Sequence, residues 1–327
     1  MTSPDTAVVT APKTASGIAA RTPGQLAWGR FRNDRKTVAS AIIVLITLIL
    51  AILAPIFVAA KIIDPFSINQ NLINANALPI GDWGGISWAH PLGVEPGIGR
   101  DSMSRIWFGL SYSLMISAGA ALLSVSIGTV MGIIAGMSRG AADTIIGRTI
   151  DLILSFPQTL MLLALSSTII TFMVTRFGVP EGNTVQALYV VLVLSAFGWP
   201  PVARIIRGQV LSLREREFID AARLFGASKA RLWFREVLPN LWAPILVQFT
   251  LILPAYISAE TALAYLGVSV LPPTPTIGNI LADSIQYASA DFLYFFLPGF
   301  LLVTIVVSFN LLGDGVRDAL DPKAGRR

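Results

Sequence analysis

The sequence contains no cysteine and a single histidine among its 327 residues. Disulfides, thiolate metal sites and cysteine nucleophiles are therefore excluded. One histidine cannot build a multi-histidine metal centre within the chain. Charge is scarce as well. Only 13% of residues are Asp, Glu, Lys or Arg, against about 25% in a soluble domain, and the clumping of these charges leaves long windows with none. No G-x-x-x-x-G-K-S/T phosphate loop occurs in the chain, so nucleotide binding through that loop is excluded. No cofactor and no catalytic residue is expected. What the sequence has instead is apolar surface, with 54% hydrophobic residues.

A helix needs about 20 mostly apolar residues to cross a bilayer. Six uncharged windows qualify: 37–60, 106–138, 152–175, 182–203, 237–259 and 292–313. They predict an all-α, polytopic membrane protein with six transmembrane helices. The second window is too long for one crossing, so its helix is expected to start near Ser111. A seventh window, 261–282, holds Pro272-Pro273-Thr274-Pro275 after Leu271. Those prolines remove backbone donors and break a helix. It is predicted to be a loop on one face that dips into the protein, because irregular backbone at membrane depth must be covered or line a cavity.

The predicted layout follows. Residues 1–36 are a tail, disordered at first and ending in an interfacial helix where Trp28 and Phe31 mix with Arg30, Arg32, Arg35 and Lys36. This tail lacks the short apolar core of a cleavable signal. Residues 37–62 are the first span, 63–110 an outer loop, 111–313 a five-helix core and 314–327 a second tail. The core contains an inner loop, 206–240, and an outer loop, 260–291. With both termini cytoplasmic, the inside segments hold 20 of the 24 basic residues, which selects that orientation. The net charge of +5 thus reflects topology, and no nucleic-acid partner is expected.

No span carries a charge near its middle, whereas ion-coupled transporters bury ionisable groups there. An ion-coupled secondary transporter is the weaker alternative, and energy is expected to arrive through another subunit. Ala120, Ser124, Gly128, Gly132 and Gly136 recur every four residues in the second span. They make one small-residue face for close helix packing, either within the chain or against a second membrane subunit. Prolines inside the spans, such as Pro55, Pro157, Pro200, Pro201, Pro244, Pro254 and Pro298, can kink helices. Three further features have modest expected roles. His90 is assigned to loop packing or capping, Glu260 to a rim carboxylate at the outer end of the fifth span, and Gly313 and Gly315 to a helix-terminating turn.

The inner loop is the most informative segment. Residues 212–225 have helical spacing, with Phe218, Ala221, Ala222 and Phe225 on one stripe. Gly226 can end that helix in a left-handed conformation, Ser228 can N-cap the next, and Pro239 closes the pair. Phe218, Phe225, Trp233 and Phe234 would form an apolar patch, which marks an interaction site.

The segment Asp220-Ala221-Ala222, Gly226 and Leu238-Pro239 resembles the EAA loop of ABC importer permeases. Three other segments resemble the C-type membrane subunit of the dipeptide/oligopeptide branch, the peptide/nickel family. They are His90-Pro91-Leu92-Gly93 with Gly99-Arg100-Asp101 and Ser104-Arg105, then Leu266-Gly267-Val268 with Pro272 to Pro275, then Phe309 to Gly315 through Asp321-Pro322. Asp220 replaces the usual Glu, Glu236 stands at a normally apolar position, Val94-Glu95 replaces Thr-Asp, and Ile277 stands where Trp is frequent. The resemblance implies an ABC type I importer permease fold in a bacterial inner membrane, and a permease with no enzymatic activity of its own. It implies a second permease subunit, two cytoplasmic ATPase subunits and an extracytoplasmic binding protein as partners. Di- or oligopeptides are the implied cargo, with nickel chelates and glutathione carried by relatives. In such a loop Glu217, Asp220 and Arg223 would make polar contacts with the ATPase. Ala221 and Ala222 would allow close approach, Gly226 would set the turn, and Ser228, Leu238 and Pro239 would shape the second half.

Overall fold

The computed structural model describes residues 23–320. The first part of the tail and the Asp321-Pro322 pair lie outside the described residues. Twelve α-helices are present among those described. A short helix α1 (Pro23–Asn33) leads into α2 (Arg35–Ala59). Asp34 caps α2, accepting from the backbone N–H groups of Lys36 and Thr37 at 3.2 and 3.3 Å.

The loop that follows contains no regular strand, only isolated pairings between Ile73 and Pro79 and between Val94 and Asp101. It ends at α3 (Ser102–Met137), which starts well before Ser111. Two causes account for the earlier start. Asp101 supplies the N-cap, accepting from Ser104 N at 2.7 Å. Arg105, whose charge bounds the uncharged window, is fully buried in protein, so that charge never meets lipid.

The third expected span, 152–175, is not one helix. The segment folds as α4 (Ala141–Leu154), α5 (Gln158–Ala164) and α6 (Ser166–Phe177), with α4 and α5 bent by 78°. Pro157 sits at the break and lacks the N–H that would continue α4. The segment still has to carry the chain across. Beyond it, α7 (Asn183–Leu213) runs parallel to α3: Gly128 lies against Val202, Gly132 against Ile206 and Gly136 against Val210. Parallel neighbours require the intervening chain to return from one end of the bundle to the other.

Past α7 come two short helices, α8 (Glu217–Leu224) and α9 (Lys229–Arg231), then α10 (Trp242–Tyr265), α11 (Ile277–Ile285) and α12 (Phe292–Leu320). The proline-rich stretch between α10 and α11 is irregular, as its composition predicts, and α11 is packed into the protein with Ile277, Asn279, Ile280 and Ser284 buried. A capping box between Thr276 and Asn279 starts α11. The α12 helix continues through Gly313 and Gly315, so these glycines end nothing. They are contact points instead: a Cβ on Gly315 would overlap the Thr37 side chain of α2.

The small-residue ribbon is consumed inside the chain. Ala120 and Ser124 are fully buried, and a Cβ on Gly128, Gly132 or Gly136 would come within 2.6 to 2.8 Å of atoms on α7. The ribbon therefore packs α3 on α7 and does not present a face to a second subunit.

Candidate coupling loop

The loop expected on the inner side begins where α7 stops. Residues 214–216 form a turn, so the helix expected over 212–225 is interrupted and α8 starts at Glu217. At its far end α8 closes in a Schellman motif. Gly226 N–H donates to Arg223 O at 2.9 Å and Ala227 N–H to Ala222 O at 3.0 Å, with Gly226 at φ +77°. Glycine takes that conformation without steric cost. Ser228 then caps α9, accepting from Arg231 N–H at 3.3 Å. A π turn (Leu232–Val237) and a 3-10 turn (Leu238–Asn240) finish the loop.

The loop is held to the bundle by a residue that the sequence pattern did not single out. Ile219 is fully buried, together with Leu232, Val237 and Leu241, against Val125 and Ile133 of α3 and Val202, Ile206 and Val210 of α7. Burying one such side chain contributes about 1.5–3 kcal/mol. The inward stripe of α8 is therefore Ile219 with the half-buried Ala222, and the expected stripe through Phe218 and Phe225 points outward. Ile219 was legible only as an aliphatic side chain between Phe218 and Asp220.

The outward surface is apolar at its centre. Phe218, Leu224, Phe225 and Phe234 are exposed, Phe225 at 90%, while Trp233 packs on the buried cluster and so leaves the expected patch. Ala221 and Gly226 are exposed as well, and nothing stands within 4 Å of a Cβ placed on Gly226. Glu217 is exposed in the first turn of α8, and Asp220 pairs with Arg223 at 2.9 Å. Leu238 is half-buried against the cluster and Pro239 is exposed.

At the opposite end of the bundle, two of the sequence motifs converge. Arg100 grips Glu95 with two hydrogen bonds of 2.6 and 2.8 Å, and Arg105 pairs with the same carboxylate at 3.2 Å. Arg105 also donates to the Pro273 carbonyl at 3.3 Å, tying the arginine motif to the proline motif. His90 contacts the Asp101 carboxylate at 2.9 Å, a packing and capping role. Glu260 is not on a rim: it is completely buried and accepts from the hydroxyls of Ser113 and Ser269, both at 2.9 Å.

Residues 128–326 match the family model for the binding-protein-dependent transport system inner membrane component. The chain belongs to this family. Residues 22–79 of the permease match the N-terminal transmembrane domain of oligopeptide transport permease C. The chain is 33% identical over 306 residues to the dipeptide transport system permease protein DppC of Haemophilus influenzae, covering 94% of this chain and 97% of that one. It is 34% identical over 295 residues to the oligopeptide transport system permease protein OppC of Bacillus subtilis, covering 90% and 88%. In fold the permease is similar to an inward-facing MetNI methionine ABC transporter chain, with a TM-score of 0.52, 19% identity and 67% and 97% coverage. It is thus a multi-pass inner-membrane permease subunit, not an enzyme, and works with separate ATPase subunits and a substrate-binding protein.

Proposed function

We propose that the permease is one of two related membrane subunits of an importer for di- or oligopeptides, with both termini in the cytoplasm and the 217–240 loop seated in a cleft of an ATPase subunit. The observation that carries the coupling assignment is the two-sided build of α8. Ile219 is buried in the α3–α7 core while Phe218, Leu224 and Phe225 face outward. A force applied to the outward face is delivered to the helices through a packed contact. An exposed apolar patch of this kind is an interaction site, and the basic residues clustered on this side of the bundle favour the cytoplasm. Ala221 permits close approach, and Glu217 and the Asp220–Arg223 pair supply polar contacts at the patch edge. Peptide cargo is supported by the two permeases named above. The second membrane subunit is supported by the type of system to which the family belongs.

The deciding experiment replaces Gly226 with valine. A β-branched residue is strained at positive φ, and the open space around Gly226 rules out a packing clash within the permease as the cause of any effect. The complex should insert normally, keep or raise its ATPase activity, and lose binding-protein-dependent peptide uptake. Unchanged uptake would remove the coupling assignment.

A further inference from the structure

A trough between α2 and α12 is used by neither the coupling loop nor the motif cluster at the other end. It encloses about 440 Å³. Small side chains form its floor, where Ser40 and Ser308 are buried. Ile43, Val303, Val307 and Leu311 form exposed apolar walls. Lys36 stands at one end. It lies within salt-bridge distance of no carboxylate among the described residues, and the same holds for Arg32 and Arg35. The neighbouring Asp34 carboxylate is engaged by the N-terminus of α2 and interacts electrostatically with Lys36, so one acidic group stands against three cations.

We propose that this trough seats one acyl chain of an anionic phospholipid whose phosphate is held by Lys36, with Arg35 and Arg32 beside it at the membrane surface. The charge pattern selects the occupant. A free phosphate has no use for the apolar walls, and a zwitterionic lipid leaves the cations without a net counter-charge. Lys36 to Ile43 spans about 10 Å along the helix, running from headgroup level into the hydrocarbon. Basic pockets between membrane helices recognise anionic headgroups in this way. The site depends neither on the cargo nor on the coupling assignment.

The test uses the permease complex in nanodiscs of phosphatidylcholine with a minor fraction of phosphatidylglycerol, counting retained lipid by native mass spectrometry. Phosphatidylglycerol should be retained over phosphatidylcholine. Lys36→Gln with Arg35→Gln should lower that retention roughly tenfold or more, at about fivefold per charge. Ala39→Leu, which narrows the trough but keeps the cations, should also displace the lipid, and millimolar inorganic phosphate should not. Equal retention of both lipids, unchanged retention in either variant, or displacement by inorganic phosphate overturns the proposal. So does crosslinking of a Val307→Cys variant to a second membrane subunit, because a protein helix would then fill the trough.

Discussion

The Tyr256 hydroxyl lies over the backbone of Gly198, in the space that any β-carbon there would occupy. It donates to the Leu194 carbonyl at 3.0 Å and accepts from the Ser124 hydroxyl at 2.7 Å. One phenol thus joins α10 to α3 and α7. Gly198→Ala should cost about 1–3 kcal/mol by overpacking, measured as lower thermal stability of the purified permease. The same substitution in a Tyr256→Phe background should cost clearly less, because the overlapping oxygen is gone. Additive losses in the double variant would show that the overlap is not the cause.

The two faces of α8 should separate genetically. Phe225→Ser removes an exposed side chain, so folding should be unaffected while co-purification of the ATPase falls and uptake with it. Ile219→Ala empties a buried position and should destabilise the loop by about 2–5 kcal/mol, seen as faster amide exchange over residues 217–240. Equal exchange in both variants would contradict the two-sided build.

Glu95 serves two arginines, and a buried charge left without its partner costs about 3–5 kcal/mol. Glu95→Gln should therefore loosen the segment between α2 and α3, with limited proteolysis cutting residues 64–101 sooner than in the unaltered protein. Arg105→Met should loosen the proline segment as well, because it also removes the donor to Pro273. Proteolysis confined to the first loop in both variants would break the proposed link between the two motifs.

The absence of cysteine makes orientation directly measurable. Ser228→Cys lies in the proposed coupling loop and should react with a membrane-impermeant maleimide only after the cytoplasmic face is opened. Asn71→Cys, at an exposed position in the loop between α2 and α3, should react in intact cells. The reverse pattern would invert the proposed topology.

Composition and spacing determined what kind of molecule this is. Long uncharged windows define membrane helices because lipid offers no partner for charge or free backbone. The Gly226 turn and the Ser228 cap were legible because turn chemistry is local, and the resemblance of Asp220, Gly226 and Pro239 to an EAA loop marked the segment as the candidate coupling loop. Tertiary structure alone decided how buried charge is tolerated and which way helices face. Arg105 and Glu260 looked like boundaries of spans, yet both are covered by polar partners from segments distant in sequence. Ile219, not Phe218 or Phe225, points inward because apolar side chains of α3 and α7 form the surface on which α8 packs. The third crossing bends at Pro157, and the glycine ribbon of α3 is filled by α7. Such outcomes depend on which surfaces meet, and a one-dimensional pattern holds no record of that.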